Sequence, residues 1–278
     1  MTELAISLND VHYTYPGNGA AALRGVSLHV PTGQYVAIVG ANGSGKSTLL
    51  KHLIGLLRPQ RGSVHLFGRE TEALSVGEMA RLVGFAFQDP EHQIFSATVR
   101  EEVAFGPRNL GLRGADLDAR VEETLAQFGL SAHAHHPPAV LSFSLRRLVA
   151  IASIAALRTP VLALDEPLVG LDGLWRRRVI AWLNAHHAAG GTIIMVTHHM
   201  RLAGKCERVV VMGAGEVLLD GAPAEVFAQP AALRAARLDV PFVVALAQAL
   251  GLEGTPLSVA ELAAMLTERA VEKGAPWS

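Results

Sequence analysis

The chain has a single cysteine, Cys206, among its 278 residues. No intrachain disulfide can form, and the composition fits a reducing compartment. Charge of one sign is also not in excess: 24 Lys and Arg stand against 25 Asp and Glu, for a formal net charge of −1. A nucleic-acid binder usually carries a basic excess, so no nucleic-acid partner is expected. Long hydrophobic runs are missing. The longest apolar stretch, Leu148 to Leu157, falls short of the roughly 20 residues that span a bilayer. The opening Met1-Thr2-Glu3-Leu4 lacks the basic start and apolar run of a secretion signal. These absences lead to the expectation of a soluble chain that reaches a membrane only through a partner. Repeats and low-complexity tracts are absent too.

What is present begins with core-building capacity. Half of the residues are hydrophobic (50%), enough for one large domain or two modest ones. Leu4 to Leu8 alternates as a strand does, as does Val11 to Tyr15, and Pro16-Gly17-Asn18-Gly19 reads as a turn. Val26–Val30 and Tyr35–Val39 read as further strands. Between about Gln88 and Pro160 strand character fades, and Val121–Phe128 and Leu145–Leu157 carry helical patterning instead. Strands return at Val161–Leu164 and Thr192–Val196, followed by a hairpin across Gly213-Ala214-Gly215-Glu216. Strands separated by helices predict an α/β fold with a mainly parallel sheet, an N-terminal antiparallel β subdomain and a helical insertion at about 89–160.

Residues 221–278 differ from the preceding part of the chain. Pro223, Pro230, Pro241 and Pro256 divide them into short helices, a small helical C-terminal tail. Val243, Leu246, Ala247 and Leu250 share one helical face, and Val259, Leu262, Ala263 and Leu266 share another. Ser258 and Glu261 have capping-box spacing. Both faces could dock on the chain's own core, or they could pair two chains.

The most informative segment is Gly40-Ala41-Asn42-Gly43-Ser44-Gly45-Lys46-Ser47-Thr48. It fits G-x-x-x-x-G-K-[ST] and lies between a strand and the helical stretch Leu49–Leu57, the context that a phosphate-binding loop requires. Its glycines let backbone N–H groups converge on phosphate oxygens, and the helix start adds its positive dipole end. Lys46 supplies a mobile cation for the outer phosphates, and Ser47 a hydroxyl for Mg²⁺.

Val161–Leu164 leads into Asp165-Glu166, so a buried strand delivers two carboxylates to the same sheet edge as the phosphate loop. Asp165 is placed to hold the Mg²⁺ shell, and Glu166 to orient an attacking water. Phosphoryl transfer needs mainly such positioning and charge neutralisation. Gln88 ends the strand-like Phe85-Ala86-Phe87 and could touch Mg²⁺ or sense a γ-phosphate, although such glutamines are often solvated. His198 comes after the strand Thr192–Val196, at the same edge, and could donate to a γ-phosphate. His133, His135 and His136 cluster beside Pro137-Pro138 and read as a solvated loop rather than a metal site.

In order, the phosphate loop, Gln88, Leu141-Ser142, Asp165-Glu166, Gly170-Leu171-Asp172 and His198 resemble the ABC-type ATPases over nearly residues 1–220. That resemblance implies a P-loop NTPase core, with ATP and Mg²⁺ as ligands. It implies that Tyr15 stacks on adenine and that two such domains pair head to tail around two ATP molecules. Each ATP would then meet the partner's Leu-Ser segment, here Ser142, and Asp172 would lie at the seam. Phe87-Gln88-Asp89-Pro90-Glu91-His92-Gln93-Ile94-Phe95 and the subsequent Thr98–Pro107 resemble the ATPases of energy-coupling-factor importers, which take up vitamins and transition-metal ions. So does the tail, at Leu238-Asp239-Val240-Pro241 and Leu257–Glu261. The resemblance implies a tail that helps to pair the ATPases, and a groove near the helical insertion that grips helices of a membrane coupling subunit. It also implies a separate substrate-binding membrane subunit and a peripheral place on the cytoplasmic face of the membrane.

The family's usual Leu-Ser-Gly-Gly-Gln is altered to Leu141-Ser142-Phe143-Ser144-Leu145. If a glycine there used positive φ, its replacement would cost roughly 1–2 kcal/mol. Because the segment acts on ATP held by the other chain, the alteration predicts a heterodimer with unequal sites, in preference to a homodimer. The alternative is that the altered loop still works through its unchanged N–H groups. Two other functions stay open at this point: a soluble ABC ATPase outside transport, and a nucleotide-binding regulatory subunit with little hydrolysis.

Overall fold

The computed structural model describes residues 3–17 and 19–272. Met1 and Thr2 at the chain start, Asn18 of the predicted turn and residues 273–278 of the predicted tail lie outside the described residues. The strands are β1 (Leu4–Tyr13), β2 (Leu23–Pro31), β3 (Tyr35–Val39), β4 (Arg61–Leu66), β5 (Arg69–Glu70), β6 (Val83–Ala86), β7 (Val161–Asp165), β8 (Thr192–Val196), β9 (Arg208–Gly213) and β10 (Glu216–Gly221). The helices are α1 (Lys46–Leu53), α2 (Val76–Leu82), α3 (Val99–Asn109), α4 (Gly114–Phe128), α5 (Phe143–Ala155), α6 (Gly173–Ala188), α7 (Met200–Ala203), α8 (Pro223–Phe227), α9 (Pro230–Ala235), α10 (Phe242–Ala249) and α11 (Val259–Glu272). None of them is long and apolar enough to cross a membrane, among the described residues.

Two sheets form. The first is antiparallel, in the order β2-β1-β4-β5. The second runs β10-β9-β3-β8-β7-β6 and is parallel except for the edge hairpin β9–β10. β3, β7 and β8 are buried on both faces, as a parallel sheet covered on both sides requires. Alternation divides their side chains between two cores. Val36 and Ile38 face the antiparallel sheet and α1, where they pack with Leu8, Leu28, Leu49 and Val64. Tyr35, Ala37 and Val39 face the helices, with Val103, Phe128, Leu148 and Val179.

The register decides where the site sits. Ile38 pairs with Val196, and Val196 pairs with Asp165. The carboxyl ends of β3, β7 and β8 therefore stop at one level. The β9–β10 turn secures the loop beyond β3, since Gly215 donates to the Ser44 carbonyl at 3.1 Å and accepts from Arg24 N–H at 2.8 Å.

Several boundaries differ from the sequence expectations. The helix after the phosphate loop stops at Leu53 rather than Leu57, where the chain bends at Ile54-Gly55. α5 starts two residues earlier than its apolar pattern, because Ser142 caps it by accepting from Leu145 N–H at 3.3 Å. α3 forms in spite of Pro107, with a full capping box between Thr98 and Glu101 and with Val99 and Val103 buried. In α10 the buried residues are Val244 and Ala247, while Leu250, on the predicted apolar face, is exposed. In α11 Leu262 is buried and Val259 is exposed. The expected Ser258–Glu261 cap forms, and the Glu261 carboxylate reaches the N–H of Leu257 at 2.9 Å. Leu233, Leu238 and Val244 join the helix-side core, so the tail docks on its own chain.

Phe128 is fully buried and meets Trp182 edge-on at 5.6 Å. Phe128→Ala should therefore cost about 3–5 kcal/mol, read as a lower urea midpoint with an unchanged slope.

Candidate active site

Gly45 shows why the phosphate loop has the composition it has. Its φ is +103°, and a Cβ there would meet the Ala22 carbonyl oxygen at 2.6 Å. A side chain is excluded by conformation and by space together. The loop folds over Lys46, whose Nζ donates to the carbonyls of Gly40 and Ala41, each at 2.8 Å. Ser44 Oγ lies 3.4 Å from the same ammonium. Burial pulls the Lys46 pKa down, against the opposing pull of Glu166 and Asp165.

A cleft of about 440 Å³ opens over this loop. It gathers Tyr15, Asn42, Gly43, Gly45, Lys46, Ser47, Thr48, Gln88, Asp165, Glu166 and His198, which come from five separate parts of the chain. Tyr15 is anchored at its hydroxyl, 3.2 Å from Thr48 Oγ1, and meets the Tyr13 ring edge-on at 5.0 Å. Gln88 is exposed at the rim. Gly40 and Ser44 belong to the loop without lining the cleft.

Glu166 is the strained residue of the site. It is 3% exposed, and its φ of +50° is rare for a side chain of this kind. Its N–H donates to the Val196 carbonyl at 3.0 Å, which ties it to β8. One carboxylate oxygen, Oε1, has no hydrogen-bond partner. His198 Nε2 lies 3.4 Å from it. Burial, helped by the Asp165 charge, pushes the Glu166 carboxyl up to about 7, while the His198 backbone N–H, Lys46 and Arg147 pull it down. Burial and then Lys46 hold the His198 imidazole below its ordinary value, against Asp165. A buried acid with a free oxygen, facing the phosphate loop, is suited to take a proton from water.

Ser142 and Asp172 lie outside this cleft. Ser142 is exposed at the start of α5. Asp172 caps α6, accepting from Leu174 N–H at 3.0 Å and Trp175 N–H at 3.1 Å. The possible cost of positive φ in the altered Leu-Ser segment does not arise. Phe143 and Ser144 open a regular helix, and neither has positive φ. The histidine cluster forms no group of three metal-ligating side chains among the described residues.

Sequence reasoning missed two anchors. Gln93 donates to the Ala150 carbonyl at 2.6 Å and accepts from Phe87 N–H at 3.4 Å, so it holds the Gln88 segment to α5. Arg147, 1% exposed, donates to the carbonyls of Phe87, Gln88, Asp165 and Glu166. The available signal was an arginine at the lip of the longest apolar run.

This fold and cleft define an ATP-binding cassette ATPase. The ABC transporter family model matches residues 23–169. The energy-coupling factor transporter ATP-binding protein EcfA1 of Symbiobacterium thermophilum is 43% identical over 266 residues, covering 92% of this chain and 93% of its own. The cobalt import ATP-binding protein CbiO of Rhodobacter capsulatus is 44% identical over 238 residues, covering 84% and 85%. Among solved structures, cbiO1 from Clostridium perfringens, part of the cbiONQ transporter complex, has a TM-score of 0.71 at 32% identity, covering 88% of this chain and 99% of that one. A dimeric ATP-binding cassette bound to ADP and Pi has a TM-score of 0.73 at 29% identity, covering 78% and 98%. The chain belongs to the ABC transporter ATP-binding proteins, in the energy-coupling factor branch.

Lys46→Ala should weaken ATP binding by roughly tenfold to a hundredfold, the loss of charge-assisted hydrogen bonds to phosphate, measured by equilibrium titration with ATP. Glu166→Gln should leave that affinity nearly unchanged and lower turnover by at least about a hundredfold, measured as phosphate release.

Proposed function

We propose that this chain is one of two ATPase chains powering an importer of a micronutrient, a vitamin or a transition-metal ion, and that its two ATP sites are unequal. The importer class is supported by relatives named for energy coupling and for cobalt import. The observation that carries the inequality is the seat of Phe143, at the position where the family's segment is bare.

In this reading ATP enters the cleft with adenine against Tyr15. Backbone N–H groups from Asn42 to Thr48 and the α1 dipole hold the phosphates, with Lys46 on the outer ones. The donor set also fits Mg²⁺: Ser47 offers a hydroxyl, Gln88 an amide oxygen, and Asp165 a buried carboxylate whose neighbour Glu166 has an unpartnered oxygen. The ion, when bound, neutralises charge on the transferring phosphoryl group. Glu166 orients the attacking water and takes its proton, and His198 donates to the γ-phosphate from the end of β8.

The Leu-Ser segment acts on ATP held by a partner chain. Ser142 keeps its hydroxyl at the helix start, but the Phe143 ring covers Gly170, where a Cβ would collide with it. Ser144 Oγ accepts from Asp172 N–H at 3.4 Å. The segment is thereby held against the residues that the family places at the dimer seam. ATP bound to this chain's own loop can use a partner with Leu-Ser-Gly-Gly-Gln, whereas ATP on that partner faces an aromatic ring. A heterodimer is the consequence, and the tail, with Phe242 and Val259 exposed, contributes to pairing.

The docking place for the membrane coupling subunit is the groove beside Ile94, Phe95, Pro137 and Arg146. Phe95 is 65% exposed and meets the half-exposed Phe105 edge-on at 4.6 Å, an uncovered aromatic pair of the kind found at interfaces. Docking there places the chain on the cytoplasmic face of the membrane, next to a separate subunit that selects the substrate.

The purified chain alone should hydrolyse ATP slowly. Adding a partner ATPase that carries Leu-Ser-Gly-Gly-Gln should restore turnover, and the triple substitution F143G/S144G/L145Q should raise the lone chain's rate by roughly tenfold or more. Brisk turnover by the unmodified chain alone would end the asymmetric reading. Phe95→Glu should release the chain from membranes while leaving its ATP affinity intact, as read by membrane flotation and nucleotide titration.

A further inference from the structure

We infer that Arg147 is a positioning residue for ATP hydrolysis: one buried guanidinium fixes the Gln88 segment and the Asp165-Glu166 pair in a single relation to the Leu-Ser segment. Arg147 is the largest of the fully buried side chains. It lies one turn into α5, four residues beyond Phe143. One terminal nitrogen donates to the Phe87 carbonyl at 2.7 Å and also to that of Gln88. The other donates to the Asp165 carbonyl at 3.0 Å and also to that of Glu166. These four carbonyls belong to the chain just beyond β6 and to the end of β7, neighbouring strands of the parallel sheet.

An arginine taken out of water ordinarily sits against a carboxylate, because burying the charge unpaired is costly. Among the described residues Arg147 has no carboxylate within ion-pair distance; its two terminal nitrogens donate to main chain instead, while its buried Nε has no hydrogen-bond partner. The planar fork suits this task, since two parallel pairs of donors can each span two acceptors, which the compact ammonium of lysine cannot do.

The Glu166 backbone explains why the fork matters. Its left-handed conformation is held at its N–H by Val196 and at its carbonyl by Arg147. Releasing the carbonyl would let φ relax and swing the side chain away from the cleft. Gln93 holds the Gln88 segment to α5 from the other side. A displacement of the Leu-Ser segment therefore reaches both Gln88 and Glu166 through one turn of helix and one side chain.

The test uses the assembly purified from membranes through a tag on this chain, with Arg147→Lys, Arg147→Met and, as a control, Arg120→Met. Arg120 also anchors a carbonyl of this subdomain, that of Ala156 at 2.9 Å, but lies outside the cleft. Rates are expressed per ATP-binding site, which corrects for any unfolded fraction. The expected result is a KM within about threefold of the parent in all variants, with kcat lowered roughly tenfold in R147K and roughly a hundredfold in R147M, each tenfold being about 1.4 kcal/mol of lost positioning. R120M should keep the parental kcat. A parental kcat per site in R147K or R147M would overturn the inference. So would a loss of ATP binding that matches the loss of rate, since Arg147 would then only stabilise the fold.

Discussion

The parallel register of β3, β8 and β7 is the constraint on which the rest depends. Ile38, Val196 and Asp165 stand side by side, so the loops that leave these strands open at one edge. A phosphate loop, a pair of carboxylates and a histidine, each from a distant stretch of sequence, therefore share a cleft. The register is held because the strands are buried on both faces. A slip of one residue would exchange the side chains that face the two cores, sending Val36 and Ile38 toward the helices and Ala37 toward the antiparallel sheet.

Around that edge the structure places charge where water is scarce. Lys46, Asp165 and Glu166 are all buried. Burial pulls the Lys46 pKa down and pushes that of Glu166 up, while the attraction between the ammonium and the carboxylates opposes both shifts. Such a set is poised for a ligand that brings its own charges. The left-handed backbone of Glu166 belongs to the same arrangement, since a carboxylate in ordinary strand conformation would continue along β7 rather than turn over the loop.

Much of this was legible in the sequence, for identifiable reasons. The phosphate loop is a local motif whose chemistry is fixed by glycine and lysine spacing. The strands β3, β7 and β8 announce themselves as short apolar runs, and the residues just after each run must emerge at the sheet edge. The helical insertion was legible only in outline, because Pro107 and Gly106 obscure α3. The faces of α10 and α11 were legible in part: Ala247 and Leu262 are buried as their faces predict, whereas Leu250 and Val259 are exposed and Val244 packs into the core instead. The altered Leu-Ser segment suggested a backbone cost that helix geometry removes, leaving the Phe143 ring on Gly170 as the physical difference.

The sequence by itself determined the chemistry on offer: which residues can cradle phosphate, hold a cation and take a proton, and in what order they occur along the chain. It did so because those capacities reside in side-chain type and short-range spacing. Only the tertiary structure decided which distant groups share a boundary. It brought Tyr15 to Thr48, seated Phe143 on Gly170, and set Arg147 among four carbonyls of two strands. Carbonyl oxygens are the same at every residue, so no pattern of letters could have shown which of them a buried guanidinium would find.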